Sequence, residues 1–142
     1  MVASWAATIL LVATSAIGVA DPAGLAGPAL VVALAMFFGG TGVFAWSFVV
    51  ALGRSRELDV GVAGVYGLSG STPKPVRTRL FASIAVELAV AIAATAARPN
   101  SPLVFDFLAV MWGLGLAGLW GAYHGAFPAR QRPPGRPRRA AG

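Results

Sequence analysis

The chain has no cysteine and a single histidine, His124, in 142 residues. The first absence excludes disulfides, thiolate nucleophiles and iron–sulfur ligation, and the second excludes a histidine-rich metal site. Charge is scarce too, with 11% charged residues and five acids. Since 57% of the residues are hydrophobic, a soluble domain of this size would lack the polar surface to cover itself. Ser69-Gly70-Ser71-Thr72-Pro73-Lys74-Pro75 has no glycine-lysine-serine/threonine ending and no strand before it, so a phosphate-binding loop is set aside. Asn100-Ser101-Pro102 lacks the hydroxyl residue a glycosylation acceptor needs.

What the sequence does contain is four long apolar windows, at about 2–20, 28–53, 80–97 and 102–127. A helix needs about 20 mostly apolar residues to cross about 30 Å of hydrocarbon, and each window meets or approaches that length. The expected fold is all-α: a transmembrane four-helix bundle over 1–127, with a cytoplasmic loop at 54–79 and a disordered basic tail at 128–142. Gly18-Val19-Ala20 before Asp21 resembles a signal-cleavage site. However, the first window lacks a basic n-region and outruns a typical h-region, so it is read as a retained span.

Cations fix the expected orientation. Arg54, Arg56, Lys74, Arg77 and Arg79 lie between the second and third windows. Arg130, Arg132, Arg136, Arg138 and Arg139 lie in the tail, which has no acid. The positive-inside rule places both segments, and with four spans both termini, in the cytoplasm. The outer side keeps Asp21 in one turn and Arg98 in the other. The expected location is the inner (plasma) membrane, multi-pass. Trp5, Trp46, Trp120 and Tyr123 map toward cytoplasmic helix ends, where amphipathic rings favour the headgroup level. Trp112 falls mid-membrane and is read as a packing residue. Ten arginines to one lysine, with abundant Ala, Gly and Val, suggest a high-GC bacterial genome.

Short connections organise the spans. Proline and glycine bound a short outer loop over 21–28, and the turn at 98–102 forces the last two helices into an antiparallel hairpin. The apolar, glycine-rich stretch 58–68 in the cytoplasmic loop is expected to lie on the membrane surface. The tail combines proline, glycine and charge without apolar periodicity. Its arginines, Arg130, Arg132, Arg136, Arg138 and Arg139, are expected to meet anionic lipid headgroups. Nucleic acid is not an expected partner, because no aromatics interleave the arginines.

Glu87 is the foremost candidate for chemistry, since it lies about 12 Å inside the third span at 1.5 Å per residue. Intramembrane carboxylates turn inward and find partners. Ser83, Ala91 and Thr95 share its ridge at spacing four, giving a small, polar stripe that should face the bundle. In the fourth span Ala109, Gly113, Ala117, Gly121 and Gly125 recur at spacing four, a ridge that admits a close neighbour. Gly39, Gly40 and Gly42 in the second span are read in the same way. Asp106 projects from the face of the fourth-span ridge, near enough to the outer end to reach water or cap backbone. Counting outward from Asn100 sets Glu87 level with Gly113 and Asp106 level with Thr95. His124 sits at the interface, solvated or lipid-facing. No Lys or Arg lies mid-membrane to neutralise Glu87, so a protonated state or a bound cation is the expected charge solution.

The stretch from Gly61 to Arg130 resembles small four-span membrane proteins of unknown function in actinobacteria. The resemblance rests on Gly64-Val65-Tyr66-Gly67-Leu68-Ser69-Gly70-Ser71 and on Met111-Trp112-Gly113-Leu114-Gly115-Leu116-Ala117-Gly118-Leu119-Trp120-Gly121-Ala122-Tyr123-His124-Gly125-Ala126-Phe127-Pro128. These are glycine and aromatic patterns without a catalytic signature, so the resemblance implies a fold and no activity.

Packing signal is abundant and chemistry scarce. The favoured expectation is a non-enzymatic accessory, scaffold or assembly component that associates with another membrane protein, or with itself, through small-residue helix faces. The alternative is a small proton-coupled or cation transporter using Glu87 and Asp106, which would need oligomerisation to enclose a path. An enzyme ranks last, as no nucleophile with a base is visible, and neither cofactor nor metal is expected.

Overall fold

The computed structural model describes residues 2–70 and 72–130. Four of its helices are long and apolar enough to cross a membrane: α1 (Val2–Ala20), α2 (Pro22–Arg54), α4 (Lys74–Ala97) and the last span, Pro102–His124. A short helix, α3 (Val62–Val65), interrupts the loop between α2 and α4. The last span begins as a 3-10 helix, Pro102–Ala109, and continues as α5 (Val110–His124). They pack as a bundle, and among the described residues there is no strand. Arg54, Lys74, Arg77, Arg79 and Arg130 gather at one end, called the basic end here, while Asp21 and Arg98 mark the opposite end.

Three boundaries differ from the sequence reading. The outer loop expected at 21–28 shrinks to Asp21, whose amide donates to the Ile17 carbonyl at 2.9 Å. Pro22 opens α2, where a missing N–H leaves nothing unsatisfied. Helix α4 begins at Lys74 instead of 80, with Pro75 in its first turn. At the start of the last span the backbone is 3-10 instead of α. A repeat of three residues per turn aligns Leu103, Asp106 and Ala109, which are the buried residues of that segment.

The loop between α2 and α4 inserts Val65 and Leu68 into the bundle, while 61–63 stay exposed. Val65 and Leu68 are 2% and 0% exposed. Leu68 packs with Leu80 and Ala117 while holding φ at 51°, a left-handed conformation that a leucine keeps only when its surroundings dictate it. Tyr66 inserts between α2 and α5. Its ring stacks on Phe44 at 4.4 Å between centroids, and its hydroxyl accepts from Ser47 at 3.1 Å and donates to the Phe44 carbonyl at 3.3 Å. Glycine makes room for this wedge, because a Cβ at Gly118 would collide with the Tyr66 ring, and one at Gly121 with the Val65 carbonyl.

The chain after α5 is also tied down. Asp59 donates its amide to the Pro128 carbonyl at 2.9 Å, and Arg130 donates its amide to the Glu57 carbonyl at 3.0 Å. Thus 128–130, read from sequence as the start of a disordered tail, pair with the loop.

Arginines fasten three helix ends, where carbonyls lack partners and the dipole is negative. Arg54 donates to the carbonyls of Ala122 (2.6 Å) and Gly125 (2.9 Å) at the end of α5. Arg98 donates to Val19 at the end of α1 (3.1 and 3.2 Å). Arg130 donates to Ser55 just past α2 (3.0 Å).

Candidate functional site

The site is a column of hydroxyls and carboxyls between α1 and the hairpin of α4 with the last span. Helix α4 buries Leu80, Ser83, Glu87, Ala91 and Ala94, the three- and four-residue spacing of one helical face. Helix α1 buries Ser4, Thr8, Leu11, Ser15 and Gly18, again one face. These two faces meet.

At the basic end Ser4 and Ser83 hydroxyls are in contact. Ser83 already gives its proton to the Leu80 carbonyl at 2.8 Å, so Ser4 is the donor between them. One turn further in, the Thr8 hydroxyl lies 2.8 Å from Glu87 Oε1 and 3.0 Å from the Ser4 carbonyl. Threonine has one proton to give. Thr8 therefore shares its proton between the Glu87 carboxyl across the interface and the carbonyl one turn back on its own helix.

Glu87 is 0% exposed. Among the described residues its Oε2 has no hydrogen-bond partner, and it rests against α5, where a Cβ on Gly113 would come within 2.9 Å of it. Gly113 therefore gives the acid its space. Toward the opposite end Ser15 donates to Asp106 Oδ2 at 2.7 Å. Asp106 is 0% exposed, and its Oδ1 has no partner. The expectation that Asp106 reaches water or caps backbone is thus corrected: the 3-10 turn aims it inward.

Leu11, 0% exposed, divides the column. It packs with Met36 and Ala109, with Val90 and Trp112 around them. Thr8 and Ser15 are seven residues apart, about 10 Å along α1, and the leucine cluster fills that interval. Thr95 is half-buried on α4 with its hydroxyl unpartnered, and no hydrogen bond joins it to Asp106.

The structure brings Ser83, Glu87 and Gly113 together, with Glu87 level with Gly113 as counted from the sequence. The partners of both acids, however, come from α1, which is expected from sequence only to span the membrane. The available signal was Ser4, Thr8 and Ser15 on one face.

Of the glycines, Gly40 meets the backbone at Met111 and Trp112, and Gly39 meets the Trp112 ring. A Cβ at Gly42 would meet nothing within 4 Å, so its expected packing role is not met among the described residues. The ridge of Ala109, Gly113, Ala117, Gly121 and Gly125 is buried, and so are Gly115 and Gly118 on a second face toward α2. The α5 ridge is therefore used inside the bundle. Arg130 is exposed at the basic end, whereas Arg132, Arg136, Arg138 and Arg139 lie outside the described residues. His124 is exposed and stacks on Trp120 at 5.2 Å. Trp112 packs in the core, as expected, and donates to the Ala3 carbonyl at 3.4 Å. Among the described residues no group of three or more His, Asp or Glu comes together to hold a metal.

No protein-family model, curated protein or solved structure matches the chain. The class is set by the fold alone: a small multi-pass membrane protein with two buried acids, each bonded to a hydroxyl of its first helix.

Proposed function

We propose that this is a non-enzymatic component of the plasma membrane, with both termini cytoplasmic, that works by associating with another membrane protein or a second copy. In this reading Glu87 and Asp106 specify how its helices pack. The observation behind it is the closure around Glu87, which is fully buried between Thr8 and Gly113. Five surface grooves are lined away from Glu87, and Ser15, which bonds Asp106, lines one of them. Buried polar groups of this kind fix one arrangement of helices out of several with similar apolar contacts. A partner would meet the face of α2 that carries Val31, Phe38, Gly42 and Val49, exposed to the surroundings. A photo-crosslinker at Phe38 in intact membranes should capture a protein adduct, and capture of lipid alone would overturn the reading.

A second reading has one observation in its favour. Each acid keeps an unbonded oxygen, and both lie along a single face of α1, as two stations of a proton or cation path would. Proton flux into reconstituted vesicles separates the two. The packing reading expects the wild type and Glu87→Gln to leak no faster than empty vesicles. Flux that disappears in Glu87→Gln would establish the path.

A further inference from the structure

We propose that the outer face of α4 at the basic end is a binding site for one anionic phospholipid. Lys74, Arg77, Thr78, Phe81, Ala82 and Ala85 line a groove of about 640 Å³ there. Their spacing places them on the face of α4 away from Ser83 and Glu87, so the groove opens outward where lipid lies.

The polar groups sit at the mouth and the apolar ones run into the span. Lys74 and Arg77 are a helical turn apart and can share one phosphate, with the Thr78 hydroxyl as a further donor. The Arg77 guanidinium lies 5.8 Å from the centre of the Phe81 ring, which orients it over the groove. No carboxylate lines the groove, and among the described residues the side chains of Lys74 and Arg77 have no hydrogen bond or ion pair. Below the mouth, Ala82 and Ala85 leave a shallow channel along the helix, shaped for an acyl chain.

The charge distribution selects the ligand. A second groove at the same end, lined by Val2, Trp5, Ala6, Ile9 and Arg79, offers one cation. A third, toward the opposite end between α1 and α4, has no charged residue in its lining. The Lys74 groove thus joins two cations to a hydrocarbon channel. A soluble phosphate would use the first feature and not the second, whereas an anionic phospholipid uses both.

The test is native mass spectrometry of the full chain in mild detergent, supplied with phosphatidylglycerol and phosphatidylcholine of the same acyl length. The wild type should retain one phosphatidylglycerol in preference to phosphatidylcholine. Lys74→Gln with Arg77→Gln should weaken that retention roughly 25-fold, the effect of two cations near a headgroup. Lys74→Arg with Arg77→Lys should keep it. Ala85→Trp, which fills the channel and leaves the cations in place, should lose it as well. Gln at Arg136, Arg138 and Arg139 together should leave it intact. Equal retention of the two lipids by the wild type overturns the proposal. So does phosphatidylglycerol retention that survives either the Gln pair or Ala85→Trp, or that is lost with the tail arginines alone.

Discussion

Helices α1 and α5 both reach the same acid, and they do so in opposite ways. Helix α1 brings a donor, the Thr8 hydroxyl, to one oxygen of Glu87, while α5 brings an absence, the missing Cβ of Gly113, to the other. One contact is a hydrogen bond that replaces hydration lost in the membrane. The other is a close approach that only glycine permits. A polar group in a membrane bundle therefore needs both a partner and a place, and here two different helices supply them.

The comparison can be broken first on the glycine side, where the largest effect lies. Gly121→Val would drive a side chain into the Val65 carbonyl, so overpacking should lower stability by about 3 kcal/mol, read from denaturant unfolding in micelles. Truncating the acid comes next. Glu87→Ala leaves a void and removes the bond between α1 and α4, and should cost about 3 kcal/mol or slightly less, with Glu87→Gln milder because it keeps the volume. Arg54→Ala strips the carbonyls of Ala122 and Gly125 of their donor. Its expected loss is about 2 kcal/mol, seen as early exchange of amides in the loop and the end of α5. The smallest effect is at Gly42, where an added Cβ would meet nothing within 4 Å among the described residues. Gly42→Ala should change monomer stability by less than about 0.5 kcal/mol, which isolates the contrast with Gly121.

Sequence reading fared unevenly for reasons that these same two helices expose. The four spans were legible because length and apolarity are what a bilayer demands of a helix, and the glycine ridge because spacing four is unmistakable over five turns. The α1 donors were not, because a lone hydroxyl in a membrane helix commonly bonds to its own backbone. Thr14 does so, donating to Leu10 at 2.9 Å, while Thr8, which also reaches its own backbone at Ser4, crosses to Glu87 on another helix. Composition is the same in both cases, and only tertiary placement separates them. The 3-10 turn at Pro102–Ala109 escaped notice because Leu103, Asp106 and Ala109 fit an α-helical face nearly as well. The insertion of Tyr66 and Val65 was hidden because it depends on space opened by Gly118 and Gly121, about fifty residues away in a chain of 142.

A double-mutant cycle between Thr8→Val and Glu87→Leu, measured as unfolding free energy in micelles, tests most directly whether α1 and α4 are joined through this acid. Two groups in hydrogen-bond contact inside the bundle should couple by about 1 kcal/mol. Additive effects, with coupling indistinguishable from zero, would contradict the account and return α1 to an apolar packing element.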